Sequence, residues 1–367
     1  MDVPYRDQLL ARCTVAAATL ADAISDQAWL PPVESPQVNI RNKAKMTVTG
    51  TADNPKLGLT TGVDLCDCLV YDPVIRAAFP AIKQFIRMAQ LQPYDLSPSK
   101  GKVTPARARQ RGELKYVLVT ASPSYDLMLT FVLRSTADLA RIKSKLPALQ
   151  NELPNLKVVS VNIHPEHKAT IVGDREIMLT ELTSLPMDLG VVKLQLGPIS
   201  FFQTNTVIAE QLYRAAAEWV SGIALGAQLR IWDLYCGVGG FALALTGQGH
   251  QVTGIEMSPE AIENAKQSSG NKARFLAEDA TAFALSGREP NPDIAIVNPP
   301  RRGIGETLAN WLNDSTVPYV LYSSCNPTTL AKDLQTLTNY QVVKAQLFDM
   351  FPNTNHSEVL TLLNRKN

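Results

Sequence analysis

Short apolar runs alternate with helically spaced apolar positions through the second half of the chain. The runs are Leu229–Leu234, Gln251–Glu256, Ala273–Leu276, Pro292–Val297 and Tyr319–Ser323. Helical spacing covers Thr206–Gly222, Phe241–Thr246, Ser258–Ser268, Thr307–Asn313 and Thr328–Leu337. This alternation predicts a parallel sheet covered on both faces, with ligands bound outside the carboxyl ends of its strands. Before Gly190 the pattern differs. Ala44–Gly50 alternates with period two. Leu114–Thr120 and Leu127–Leu133 predict an antiparallel pair across Pro123–Asp126, and Val158–Ile163 with Ala169–Val172 predicts another. Helical segments at Pro73–Ala89 and Thr136–Leu149 interrupt these strands, which makes an α+β domain. The first 30 residues read as one amphipathic helix that stops before Pro31-Pro32. The expected organisation is a helical segment over 1–36, an α+β domain over 37–192 and an α/β domain over 193–367.

Composition adds little to this picture. With 45% hydrophobic and 19% charged residues the chain can bury ordinary cores. The apolar stretch Val15–Ile24 is short and broken by Asp22, so neither a membrane span nor a signal peptide is expected. Five cysteines at irregular spacing do not make a disulfide framework, so a reduced, cytoplasmic protein is expected, acting as a monomer with no membrane partner. The net charge of +1 excludes nothing. Its distribution says more: residues 1–190 carry a net +3 and residues 191–367 a net −2. Basic residues cluster at Arg41, Lys43 and Lys45, and again at Lys100, Lys102, Arg107, Arg109, Arg111 and Lys115, with a basic loop expected over Leu96–Arg111. Such clusters suit phosphate recognition, although each alone also suits a solvated surface.

The candidate chemistry sits at the predicted carboxyl ends of the strands. Tyr319–Ser324 runs directly into Cys325, and Asn326-Pro327 suits a helix start, so the thiol stands near a helix N-terminus that favours thiolate. Alone, such a cysteine also reads as a small buried hydrophobe. Asp233-Leu-Tyr-Cys-Gly-Val-Gly-Gly-Phe241 follows the first strand, and Glu256 ends the second, placed to grip ribose hydroxyls. The glycine spacing is not that of a pyrophosphate cradle, and Asp233 suits a cationic ligand, which points to S-adenosylmethionine over a dinucleotide. Asn298-Pro-Pro-Arg-Arg-Gly303 aims Asn298 rigidly and leaves Arg301 and Arg302 for phosphate or base contacts. His356 and Glu358 lie two apart before the last apolar run, so both can face one side, and Glu358 is a candidate general base.

Taken together, the Asp233–Phe241, Asn298–Gly303 and Tyr322–Asn326 motifs, Phe348-Asp-Met-Phe-Pro352 with His356-x-Glu358, and the upstream Ser200-Phe-Phe-Gln203-Thr-Asn205 resemble the RNA uracil carbon-5 methyltransferases in order and spacing. Ile40–Lys45, Leu65–Cys68 and Arg111–Tyr116 are similar to the subgroup that methylates one uridine of 23S ribosomal RNA. The resemblance covers nearly the whole chain. It implies a class I, Rossmann-like S-adenosylmethionine-dependent methyltransferase domain preceded by an α+β RNA-binding domain. It implies Cys325 as nucleophile toward uracil carbon 6, Glu358 as proton acceptor, and cofactor contacts from Gln203, Tyr235, Glu256 and Asn298. Arg41, Lys43, Arg111, Lys115, Arg301 and Arg302 are the candidate RNA contacts. Asn298 stands where the family often has aspartate, and Gly240 where it often has asparagine. Transfer RNA as substrate, a small-molecule methyltransferase, and a non-catalytic RNA-binding protein on the same fold are the alternatives. Many members also hold a [4Fe–4S] cluster on four cysteines, and Cys68 matches one ligand. The other three have no counterpart from Met1 onward, so no cluster is expected in this chain as written. Either the natural start lies upstream or the cluster has been lost.

Overall fold

A computed structural model describes residues 3–95, 112–166, 170–247 and 249–366. It divides into two compact units, residues 1–37, 188–196 and 200–367 in one, and 38–187 with 197–199 in the other.

The chain begins with α1 (Tyr5–Thr19), which buries Leu9, Arg12 and Ala16, and continues into the short strand β1 (Trp29–Val33). The single 30-residue helix expected from the sequence is therefore two elements. Pro31 and Pro32 lie inside a strand because β1 is an edge, where a missing N–H breaks no ladder. Nor is this segment a body of its own. Leu9, Ala16, Leu20, Ile24 and Ala28 belong to the core of the first unit.

The second unit contains β2 (Lys43–Gly50), β3 (Pro55–Gly58), α2 (Pro73–Met88), β4 (Leu114–Ala121), β5 (Leu127–Leu133), α3 (Leu139–Glu152), β6 (Leu156–Ile163) and β7 (Arg175–Met178). Its sheet runs β3-β2-β4-β5-β6-β7. The β4–β5 pair is antiparallel as expected, while β6 lies parallel to β5 and its antiparallel partner is Arg175–Met178, displaced from the expected Ala169–Val172. Asp72 starts α2 by accepting a hydrogen bond from the Val74 N–H at 2.9 Å, with Pro73 in the first turn. The apolar stripe of α2 (Ile75, Phe79, Ile82, Phe85, Ile86) packs in one core with residues of α3 and the sheet.

Strands β8 (Leu185–Asp188) and β9 (Lys193–Leu196) lead to the remainder of the first unit. It comprises α4 (Thr206–Ala224), β10 (Arg230–Leu234), α5 (Gly240–Thr246), β11 (Gln251–Glu256), α6 (Pro259–Ser269), β12 (Arg274–Ala277), α7 (Ala280–Leu285), β13 (Ile294–Val297), α8 (Gly305–Asp314), β14 (Tyr319–Ser324), α9 (Pro327–Thr336), β15 (Tyr340–Phe348) and β16 (Glu358–Arg365). The sheet order is β1-β15-β16-β14-β13-β10-β11-β12. Strands β10 to β14 are mutually parallel, and β16 enters antiparallel between β14 and β15. Helices α1, α7, α8 and α9 share one apolar layer with Trp232, Val297, Tyr322 and Val359 of the strands. Because β10, β11, β13 and β14 point the same way, their carboxyl ends converge on one rim. Antiparallel β16 brings its first residue, Glu358, to that rim. No helix among the described residues is long and apolar enough to cross a membrane.

Candidate active site

Cys325 stands between the end of β14 and the start of α9. Asn326 caps α9 by accepting from the Thr328 N–H at 3.2 Å, and Pro327 occupies the first turn. The thiol is half-buried. Its environment departs from the sequence expectation of a favoured thiolate. Burial, and then the Glu358 carboxylate, push the thiol above its ordinary value, while the Arg301 guanidinium beside it pulls the other way. Arg301 therefore acts on the thiol electrostatically, a role beyond the phosphate contact expected of it.

Glu358 is 1% exposed and has no cationic partner among the described residues to offset its desolvation. Ser323 Oγ donates to its Oε1, and Asn298 Nδ2 donates to the same oxygen at 3.1 Å while also donating to the Ser323 carbonyl at 3.1 Å. Burial outweighs these bonds and raises the carboxyl to about 7. A buried carboxylate poised near neutrality is suited to take a proton. His356 does not join it. The strand begins at Glu358, so strand alternation does not extend back to His356, which is exposed and lies edge-on to Phe351.

Glu358 and Cys325 border a cavity of about 770 Å³ that also collects Gln203, Tyr235, Glu256, Asn298, Arg301 and Arg302. The loop after β10 forms its floor. Gly237 has φ +54° with open space where a Cβ would project, and Tyr235 takes φ +73°, a strained conformation of the kind that concentrates at ligand sites. Glu256 accepts from the Gly237 N–H at 3.3 Å and the Ser258 N–H at 3.0 Å. Apolar walls come from Phe201, Val238, Phe241 and Met257. An apolar slot closed at one side by a carboxylate fits the adenosine and sulfonium of S-adenosylmethionine.

Asp233, expected to face a cation, does not border this cavity. It is fully buried beneath the loop, accepts from the Ala242 N–H at 2.9 Å, and is raised to about 7 by burial. Gly240 also has a structural reason: a Cβ there would lie 2.3 Å from Tyr213 Oη, so the α4 tyrosine fills the space a side chain would need. Sequence reasoning missed Tyr213, Ser323 and Asp279, which caps α7 through the Ala282 N–H at 2.8 Å and borders the cavity. The acidic Glu278-Asp279, directly after Ala277, which lies opposite Glu256, was the available signal for Asp279.

The expected RNA contacts divide. Arg301 and Arg302 are exposed at the cavity. Arg41 is half-buried in the second unit, its backbone bridged to Tyr71. Lys43 and Lys115 are corrected as direct contacts because both are buried, at 9% and 1% exposure. Lys43 Nζ donates to the Pro198 carbonyl at 3.4 Å. Lys115 Nζ donates to the carbonyls of His164 at 2.6 Å and Glu166 at 2.7 Å, and burial lowers it to about 8. Arg111 and the rest of the basic 96–111 segment lie outside the described residues. Cys68 is half-buried near the α2 core, and no group of three or more His, Cys, Asp or Glu among the described residues could hold a metal. The donor set present does not fit an iron–sulfur cluster.

The strand order, the glycine loop and the acidic end of β11 define a class I methyltransferase. A methyltransferase-domain family matches residues 231–298, and the tRNA (uracil-5-)-methyltransferase family matches residues 289–366. A Proteus mirabilis protein named 23S rRNA (uracil(747)-C(5))-methyltransferase RlmC is 47% identical, over 91% of this chain and 87% of its own. An Escherichia coli protein of the same name is 45% identical, over 98% of this chain and 94% of its own. The Pyrococcus abyssi tRNA (uracil-54, C5)-methyltransferase, solved with S-adenosyl-L-homocysteine, shares the fold with a TM-score of 0.78 at 24% identity, over 98% of this chain and 84% of that one. The chain belongs to the RNA uracil-C5 methyltransferase family.

Proposed function

We propose that this enzyme methylates carbon 5 of a uridine in 23S ribosomal RNA, the position named for the 45–47% identical relatives, through a covalent adduct on Cys325. The observation that carries this reading is the convergence of a thiol, a guanidinium and a buried carboxylate on one cavity. Gln203, Tyr235, Glu256 and Asn298 would hold S-adenosylmethionine, which supplies an electrophilic methyl group when bound. The protein must make uracil carbon 5 nucleophilic. Deprotonated Cys325 adds through Sγ to carbon 6, and the electron pair of the 5,6 double bond moves onto carbon 5 and the carbonyl. Arg301 favours the thiolate at the start and again when it leaves. Once carbon 5 carries the methyl group it also retains a proton. Glu358 removes that proton, the 5,6 double bond reforms, and Sγ departs. Ser323 and Asn298 fix the Glu358 oxygen that they donate to. The uridine must leave its stack to reach a half-buried cysteine, so a loop or flipped nucleotide is expected as target. Ribosomal RNA as substrate makes the cytoplasm the place of action.

The test is methyl transfer from labelled S-adenosylmethionine to unmodified 23S and transfer RNA transcripts, with the product base mapped. Label in 5-methyluridine of the 23S transcript is expected. Label confined to transfer RNA would move the substrate, and no label in either would refute the reading.

A further inference from the structure

Cys325 and Arg301 border a second cavity as well. It measures about 680 Å³ and lies between α1, the start of α9 and the loop 353–357 that precedes Glu358. Its size falls within the range of about 300–1,000 Å³ that small-ligand sites occupy. Two cationic groups meet it, exposed Arg301 and Arg12, with Asp7 as the one carboxylate on its wall. Arg12 is 8% exposed. It donates through Nη2 to Asp349 at 2.8 Å and through Nη1 to the Thr354 carbonyl at 3.2 Å, while its Nε–H has no acceptor. The capped start of α9, where amide N–H groups lack helical partners, opens onto the same space.

We propose that this second cavity receives the sugar-phosphate and base of the nucleotide next to the target uridine, with α1 as its outer wall. The inference rests on the reading of Cys325 as the nucleophile for uracil. A base bonded to Sγ remains part of a polymer, so the strand must leave the thiol through an opening. The cofactor would fill much of the first cavity, and Cys325 borders the second as well. Its wall offers what an RNA strand needs: the exposed Arg301 guanidinium, a helix N-terminus, and Asn353, Asn355 and His356 for base edges. The N-terminal segment thereby becomes part of the substrate site. Arg12 links the two, because it ties α1 to Asp349 and to the loop carrying His356.

The test places charge on the exposed wall of α1 without disturbing its packing. Ala11 and Val15 border the cavity and are exposed; Leu10, 65% exposed on the same helix, does not border it. Ala11→Glu and Val15→Glu are expected to raise KM for a 23S transcript about tenfold by repelling its phosphates, with the rise shrinking as salt is added. The kcat and the KM for S-adenosylmethionine are expected to stay at the wild-type level. Val15→Lys keeps KM for RNA at or below wild type, and Leu10→Glu leaves it unchanged. An unchanged KM for RNA in both cavity-wall glutamate variants overturns the proposal, as does an equal rise in Leu10→Glu. A wild-type enzyme that methylates no RNA would instead refute the function on which the site depends.

Discussion

Glu358→Gln is expected to stabilise the catalytic unit relative to wild type by an amount that grows as the pH rises. The carboxyl is raised from its ordinary 4.5 to about 7 by burial, so the folded state holds its proton more tightly than the unfolded chain does. That contribution is fully present below the unfolded value and is lost as pH rises through about 7. Raising the carboxyl from 4.5 to about 7 corresponds to roughly 3 kcal/mol in all. Between about pH 5.5 and about pH 8.5 the stability gap between Glu358→Gln and wild type should open by roughly 2 kcal/mol, the portion of the linkage inside that window. Asp233 is also raised to about 7, but it is present in both proteins and cancels. Urea unfolding followed by tryptophan fluorescence is a clean assay, because Trp29, Trp219, Trp232 and Trp311 all belong to the catalytic unit. A gap that stays constant between the two pH values would show that Glu358 titrates normally, and the poised base would lose its basis.

Four further variants have expected outcomes. Cys325→Ala should abolish methyl transfer while leaving S-adenosylmethionine binding intact, and Glu358→Gln should accumulate RNA bound covalently to the protein on denaturing gels; a fully active Cys325→Ala ends the covalent scheme. Asn298→Asp puts a second carboxylate where an amide now donates to Glu358 at 3.1 Å, so the single-turnover pH profile should move up by about one unit or more. An unmoved profile would mean that Glu358 does not set it. Gly240→Ala drives a Cβ to 2.3 Å from Tyr213 Oη and should cost about 1–3 kcal/mol, with weaker cofactor binding by calorimetry. Adding Tyr213→Ala should relieve part of that loss, and a Gly240→Ala protein matching wild type would remove Tyr213 as the reason for the glycine.

The rim of the sheet was legible because its loops need unusual residues. Gly237, the Asn298-Pro-Pro turn and the Asn326 cap each announce a local backbone that few other residues supply. Glu358 was legible as a polar residue at the start of an apolar strand. Its raised value was not, since that comes from burial, which arises only when β16 enters between β14 and β15 and outweighs the hydrogen bonds from Ser323 and Asn298. The N-terminal strand was invisible for the opposite reason. Trp29–Val33 shows no alternation and contains two prolines, and only its pairing with β15 makes it a strand. Lys115 misled because a lysine near other basic residues reads as surface. The carbonyls that accept its hydrogen bonds belong to His164 and Glu166, about fifty residues away.

That edge strand has a consequence for how the protein is made. Trp29 pairs with Ala345, and Tyr5 and Arg12 both close on Asp349, so a segment made well before its partners is among the last to find its place. At about 5–20 residues per second, the N-terminal segment waits roughly 15–60 s before its partners are synthesised. Residues 38–187 form almost all of the second unit and can fold while the segment is still unpaired. Completion of the catalytic unit therefore waits for β15 and β16, and a truncation that removes only these two strands leaves β1 without a partner and β14 as an edge.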